Sequence, residues 1–277
     1  MRAGRVLSPP HKTHSPHKTH PPQNSLPMPR NDFEIEICAN SVESCLAAQQ
    51  GGADRVELCM GIPEGGTTPS YGEIKVARQL LTTTRLHVII RNRGSDFLYT
   101  PLELKRMAAD IDLCRDLHVD GVVFGCLTAD GDIDVEANRM LLDHAKGMSV
   151  TFHRAFDHCR NPRKALTDLI HLGFDRVLTS GQQPTALDGI PLLRELHQLA
   201  GDRIKIMAGC GVNESNIAHI HEATAITNFH FSAREPMHSQ MKYVNPDVYM
   251  GSKDADETTI MVTTKRRVEN IIQALLD

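Results

Sequence analysis

From residue 33 the chain alternates short apolar runs with longer stretches of helical spacing. Apolar runs of about six residues fall at 33–38, 55–60, 86–91, 119–124, 149–153, 175–179, 203–208 and 226–231. Their length and unbroken apolar character predict buried parallel strands, and the amphipathic segments between them predict helices. Helix starts are well marked. Ser70 and Glu73 can form a capping box, each side chain reaching the other's free backbone N–H. Thr100-Pro101-x-Glu103 adds proline at the first helical position, where its missing N–H costs nothing. Asn161-Pro162 and Asn213 serve similarly, and a last helix is expected over about 264–276. Eight strand–helix units in about 245 residues match an α/β fold of one class, a single TIM (β/α)8 barrel over 32–277. The alternative is an open doubly wound sheet, which needs a topological reversal and usually fewer strands.

Residues 1–31 follow no such pattern. They hold five basic residues and no acidic one, and a tandem repeat, HKTHSP then HKTHPP, at 11–16 and 17–22. Proline at this density prevents helix and sheet, so a disordered His/Pro-rich tail is expected. His11, His14, His17 and His20 could hold a metal ion weakly; a solvated tail without ligand is the simpler reading. An acid-poor start also raises a transit peptide, against which the prolines and the lack of an amphipathic helix argue.

Composition narrows the class. With 40% hydrophobic and 23% charged residues and a net charge of −4, the chain reads as a globular protein without a general nucleic-acid surface. No apolar run approaches the roughly 20 residues needed to span a bilayer, so no membrane partner is expected. The start lacks the apolar stretch of a secretory signal. Seven cysteines are scattered without a C-x-x-C, which predicts reduced thiols in the cytosol rather than disulfides or a zinc finger.

Strand faces supply the candidate chemistry. Alternate residues point to opposite sides. Phe33, Ile35 and Ile37 therefore share the helix-facing side, and Glu34, Glu36 and Cys38 the barrel interior. Val56 and Leu58 likewise oppose Arg55, Glu57 and Cys59. Both strands place a carboxylate two residues before a cysteine, on the same side. An inward carboxylate needs a partner, and Arg91 or Arg93 at the end of the third strand is the expected one; an ion-pair layer holding the barrel in register is the purely structural reading. The fifth strand ends in His153, with Arg154 and Asp157 beyond it. The sixth ends in Thr179-Ser180-Gly181, and the eighth brings His230, Ser232 and Arg234. Histidine can act as acid, base or ligand near neutral pH. In AGCGVNESNI, 208–217, Gly209 and Gly211 let the backbone approach a ligand before a helix start, which suits an anion together with Ser232. Cys210 would add a thiol there.

Several stretches in one order carry a resemblance: ICANSVESCLAAQQGGADRVELC (37–59), EGGTTPS (64–70), GSDFLY (94–99), DGVVFGCLTADG (120–131), VTFHRAFD (150–157), RVLTSGQ (176–182) and FHFSAR (229–234). Together, over about 33–235, they resemble the CutC copper-homeostasis family. The resemblance implies a TIM barrel and a cytoplasmic homo-oligomer, with the nucleus also open to it. It also implies a role in copper tolerance or trafficking, with Cys38 and Cys59 as the copper ligands. Two positions depart from the family pattern: Asn92 stands where proline is usual, which could loosen Arg91 and Arg93, and Cys210 stands where glycine is usual. Thiolates are soft ligands suited to Cu(I), and neighbouring strands about 4.8 Å apart would let the two sulfurs share one ion. The two carboxylates would raise the thiol pKa, which Arg91 could offset.

An enzyme is the competing reading. Glu36, Glu57, Arg91, His153 and His230 could perform acid/base chemistry on a small anionic or phosphorylated metabolite, with arginine holding the anion. A scaffold that serves only protein contacts is disfavoured by the polar residues at the strand ends.

Overall fold

The computed structural model describes residue 1, residues 29–248, residue 250 and residues 256–277. The tail reading and the histidine repeat lie outside the described residues. Eight parallel strands close on themselves: β1 (Glu34–Ala39), β2 (Arg55–Leu58), β3 (Arg85–Ile89), β4 (Gly121–Phe124), β5 (Ser149–Phe152), β6 (Arg176–Thr179), β7 (Lys205–Gly209) and β8 (Asn228–Phe231), with β8 hydrogen-bonded back to β1. Helices α1 (Val42–Gln50), α2 (Tyr71–Leu80), α3 (Pro101–Asp116), α4 (Val135–His144), α5 (Pro162–Leu172), α6 (Ile190–Ala200) and α7 (Ile217–Thr224) follow the first seven strands in turn. Helix α8 (Lys265–Leu276) completes the ring. The closed TIM barrel replaces the open-sheet alternative, and the ordered chain reaches further back than expected: Arg30 donates to Asp54 at 2.7 Å.

The apolar run pattern holds because each strand is covered outside and filled inside. Ile35, Ile37, Val56 and Leu58 are fully buried beneath the helices. Most helix starts carry their expected caps. Thr100 and Glu103 form the full capping box, and Asn161 accepts from the Lys164 N–H. Ser70 accepts from the Glu73 N–H, but the Glu73 carboxylate accepts from Val42 N at 3.2 Å instead of returning the bond. Helix α7 starts later than expected. Asn213 heads an Asx turn, accepting from Ser215 N at 2.9 Å, and Asn216 precedes the first helical residue.

One element has no sequence expectation behind it. Between β8 and α8 the chain makes an antiparallel two-stranded ribbon, β9 (Arg234–His238) with β10 (Thr259–Thr263). β10 lies beside α1, where Asn40 donates to the Met261 carbonyl at 2.9 Å and Ser44 accepts from Thr263 N at 3.2 Å. No helix among the described residues is long and apolar enough to cross a membrane.

Candidate functional site

The strand C-termini open into one cleft of about 640 Å³. Its near wall carries the two cysteines. Register pairs Cys38 of β1 with Glu57 of β2, so Cys59, two residues further, points to the same interior side. The two sulfurs lie 3.5 Å apart, and Glu57 completes a group whose ligand atoms are all within 4.8 Å of one another. The Cys59 thiol can also donate to the Ala39 carbonyl at 3.4 Å. Arg234 brings its Nη2 to 3.3 Å from the Cys38 sulfur.

A chain of buried charges stands behind these thiols. Arg55 and Glu36, both 0% exposed, form an ion pair inside the barrel. Glu36 turns its other oxygen to His230 Nδ1 at 2.6 Å, and His230 Nε2 is 3.7 Å from Glu57. At the lower edge Glu34 bridges Arg55 at 3.0 Å and Arg85 at 2.5 Å. The inward carboxylates are thus paired by Arg55 and His230. Arg91 and Arg93, the expected partners, go elsewhere, because Arg55 is the next residue across the β1–β2 register.

These contacts set the protonation states. Burial alone would raise the Glu36 pKa, but the Arg55 charge and the His230 hydrogen bond carry it well below the usual carboxylate range. Burial likewise opposes a charge on His230, yet hydrogen bonds to Cys38 and Glu36 raise it well above its ordinary value. The hydrogen bond from Cys59, followed by His230 and Arg234, draws the Cys38 thiol well down. Cys59 moves up, mainly because it donates to Cys38 and is buried. Within the pair the negative charge is therefore favoured on Cys38 and the proton on Cys59. Glu57 is pushed up to about 8, first by burial and then by the Cys38 charge, so near neutrality it is a protonated acid. The offset expected of Arg91 is supplied by His230 and Arg234 instead.

This arrangement predicts selective alkylation. With iodoacetamide near pH 6, Cys38 should react while Cys45, Cys114 and Cys159, each pushed up to about 12 by burial, stay unmodified. Peptide mapping of a Cys210→Ala background would check this, and modification of Cys45 before Cys38 would contradict the assignment.

The rest of the cleft is built from β3, the neighbour of β2, from β5 and from their loops. Arg91 is 4% exposed and donates to the carbonyls of Glu64 (2.6 Å), Gly66 (2.9 Å) and Ser95 (2.8 Å). Asn92 does not loosen it: its amide holds the Glu103 carbonyl at 3.0 Å, and Arg93 pairs with Glu103 and Asp96. Arg91 lies over the Phe97 ring at 5.0 Å, and His153 meets the same ring edge-on at 5.0 Å. His153 is brought down to about 3 by burial and then by the Arg91 charge.

The β7–α7 loop spends several of its N–H groups on its own turn. The N–H groups of Asn213, Ser215, Asn216 and Ile217 are bonded within the turn itself. Gly209 makes room, since a Cβ there would stand 2.5 Å from Leu178 and 3.3 Å from His230. Gly211 holds φ +73°, and Ser232 lines the cleft beside it. Cys210 sits at φ +78°, a left-handed position that costs an L-residue roughly 1–2 kcal/mol, and its thiol reaches the Pro184 carbonyl at 3.1 Å. Cys210→Gly should therefore stabilise the protein by about 0.5–1 kcal/mol after glycine's own entropy cost, read by thermal unfolding. A destabilisation would mean that the thiol contact outweighs the backbone strain.

Arg55, Ser95 and Phe97 belong to the site or its support and were not singled out. Arg55 was legible as an inward residue from strand alternation; Phe97 lies in the GSDFLY stretch, whose apolar residue gives no sign that it faces a cleft.

Comparison with known proteins agrees with this construction. The CutC family profile matches residues 33–235. A protein from Bacteroides thetaiotaomicron described as a family protein CutC is 62% identical over 244 residues, covering 88% of this chain and 98% of that one. The copper homeostasis protein cutC homolog of Homo sapiens is 46% identical, over 87% and 89% of the two chains. The crystal structure of a CutC protein from Streptococcus agalactiae superposes with a TM-score of 0.70 at 36% identity, covering 72% of this chain and 98% of that one. With a closed eight-stranded barrel, the family stretches in order and relatives matched over nearly their whole length, the chain belongs to the CutC copper-homeostasis family.

Proposed function

We propose that the protein binds Cu(I) between Cys38 and Cys59, in a compartment that keeps its seven cysteines reduced, such as the cytoplasm. The observation that carries this reading is the 3.5 Å separation of two sulfurs beside a cationic pair, His230 and Arg234. Metal–sulfur bonds of about 2.3 Å fit a bent two-thiolate arrangement with little movement of either strand. Cys38 makes the first bond as a thiolate. Cys59 then loses its proton as the second bond forms, so binding releases about one proton. Two thiolates around Cu(I) carry one net negative charge, which His230 and Arg234 balance. Glu57 is close enough to add a weak oxygen donor, although soft thiolates dominate the preference for Cu(I).

The test is a Cu(I) titration of the reduced chain against a chelator of known affinity, with His11, His14, His17 and His20 replaced by alanine to remove the tail as a second site. Tight one-to-one binding supports the proposal. Weak or non-stoichiometric uptake would overturn it and leave the family's copper association without a direct ligand role for this cleft.

A further inference from the structure

The cleft is far larger than one ion requires, and the wall formed by the ends of β3 and β5 has its own unused chemistry. We propose that this wall, built by Arg91, His153 and Phe97, binds a small organic carboxylate with an apolar body. The inference concerns the metal-free protein and does not depend on the copper reading.

His153 provides the first argument. It is 4% exposed and lines the cleft, and its Nδ1 accepts a hydrogen bond from the Ala155 N–H at 3.3 Å. A neutral ring whose Nδ1 accepts must carry its proton on Nε2. That Nε2 is buried and has no partner. A buried donor left without an acceptor is costly, and such groups in native structures are usually satisfied by something.

Arg91 provides the second. Its buried guanidinium meets three neutral carbonyls, and among the described residues no carboxylate lies within ion-pair distance of it. Three of its five N–H groups are occupied by those carbonyls; one Nη2 proton and the Nε–H, which is buried without a partner, are left over. Phe97 holds the two groups in place, with the guanidinium over its face and the imidazole at its edge. At the rim Arg154, fixed by Asp157 at 2.8 Å and by Ser180 at 3.2 Å, adds a further positive charge to draw an anion inward.

The donor count selects the ligand class. The Nε–H and Nη2–H of Arg91 offer a two-pronged fork of the kind that carboxylates take, and His153 Nε2–H adds a third donor to the same two oxygens. A phosphate would call for more donors than these three, and the neighbouring β7–α7 turn uses the N–H groups of Asn213, Ser215, Asn216 and Ile217 within itself. The same cleft is lined by Ile89, Leu178, Val212 and Phe231, which suit an apolar body. The cleft volume of about 640 Å³ lies in the range of small-molecule sites.

Benzoate is the probe, and inorganic phosphate the comparator, titrated into the reduced metal-free full chain and followed by ligand-observed NMR. Benzoate is expected to bind saturably in the millimolar range or tighter, and phosphate more weakly. His153→Phe keeps a ring but removes the donor, and should weaken benzoate roughly tenfold or more. In the unsubstituted protein the His153 Nε2 nitrogen resonance should shift on benzoate addition, a readout that survives if the variant does not fold. No benzoate binding at about 10 mM, equal binding by His153→Phe, an unmoved Nε2 resonance, or preference for phosphate would each overturn the proposal.

Discussion

A Cys38→Ser, Cys59→Ser variant is expected to lose Cu(I) affinity by at least about 100-fold while keeping its fold. The loss follows from ligand softness: a serine hydroxyl is a hard, neutral oxygen that does not replace a thiolate on Cu(I), and even outer-shell changes at metal sites cost 10–100-fold. The fold should survive because serine nearly matches cysteine in size. At position 59 its hydroxyl can also take over the bond to the Ala39 carbonyl. Of the two single variants, Cys38→Ser should cost more, since Cys38 is the sulfur already drawn toward the thiolate by Cys59, His230 and Arg234. Arg91→Ala and His153→Ala, which remove neither sulfur, should leave most of the affinity. Chelator competition on the five variants and the wild type, with thermal melts as a control, reads all of this. Unchanged one-to-one affinity in the double variant would remove Cys38 and Cys59 as the ligands.

Replacing Arg55 with methionine should destabilise the barrel by about 3–5 kcal/mol at neutral pH. The side chain is wholly buried and answers two carboxylates, Glu36 inside the barrel and Glu34 at its lower edge. Methionine fills the space but leaves Glu36 as a buried charge with His230 alone for company. The pH dependence has a definite sign. Glu36 has a folded pKa well below its ordinary 4.5, so its ionisation stabilises the fold above about that pH, and the contribution is lost as pH falls through the depressed value. In Arg55→Met most of that contribution is gone. The gap between variant and wild type should therefore be widest at neutral pH and narrow toward acid. Urea unfolding at several pH values checks this. A neutral-pH cost below about 1 kcal/mol would mean that water or a neighbour replaces the arginine.

Much of this architecture was legible before any coordinates, for physical reasons. Buried parallel strands need unbroken apolar runs, so the eight runs located the barrel, and strand alternation put Glu36, Cys38, Arg55, Glu57 and Cys59 inside it. The pairing of Arg55 with Glu36 was not legible, because it depends on the register between β1 and β2, which no local pattern states. Arg91 was misread for a related reason: its partners are backbone carbonyls of Glu64, Gly66 and Ser95, and carbonyls look alike in every sequence. The β9–β10 ribbon was missed because its strands are short and half exposed, so their side chains carry no clear period. What else the glycines at 209 and 211 do was not legible: one leaves space beside His230 and the other holds a left-handed turn.

The Glu36–His230 hydrogen bond joins residues 194 positions apart across the β8–β1 seam. Contacts of such separation are slow to form, because loop closure costs entropy before it is rewarded. Until β8 docks, Cys38 has neither the imidazolium nor the Arg234 guanidinium beside it. A nascent or partly opened chain therefore presents ordinary cysteines, and the reactive sulfur appears only with the last step of assembly. Any ligand that prefers that sulfur would act as a clasp on the seam, slowing its opening and shifting the population toward the closed ring.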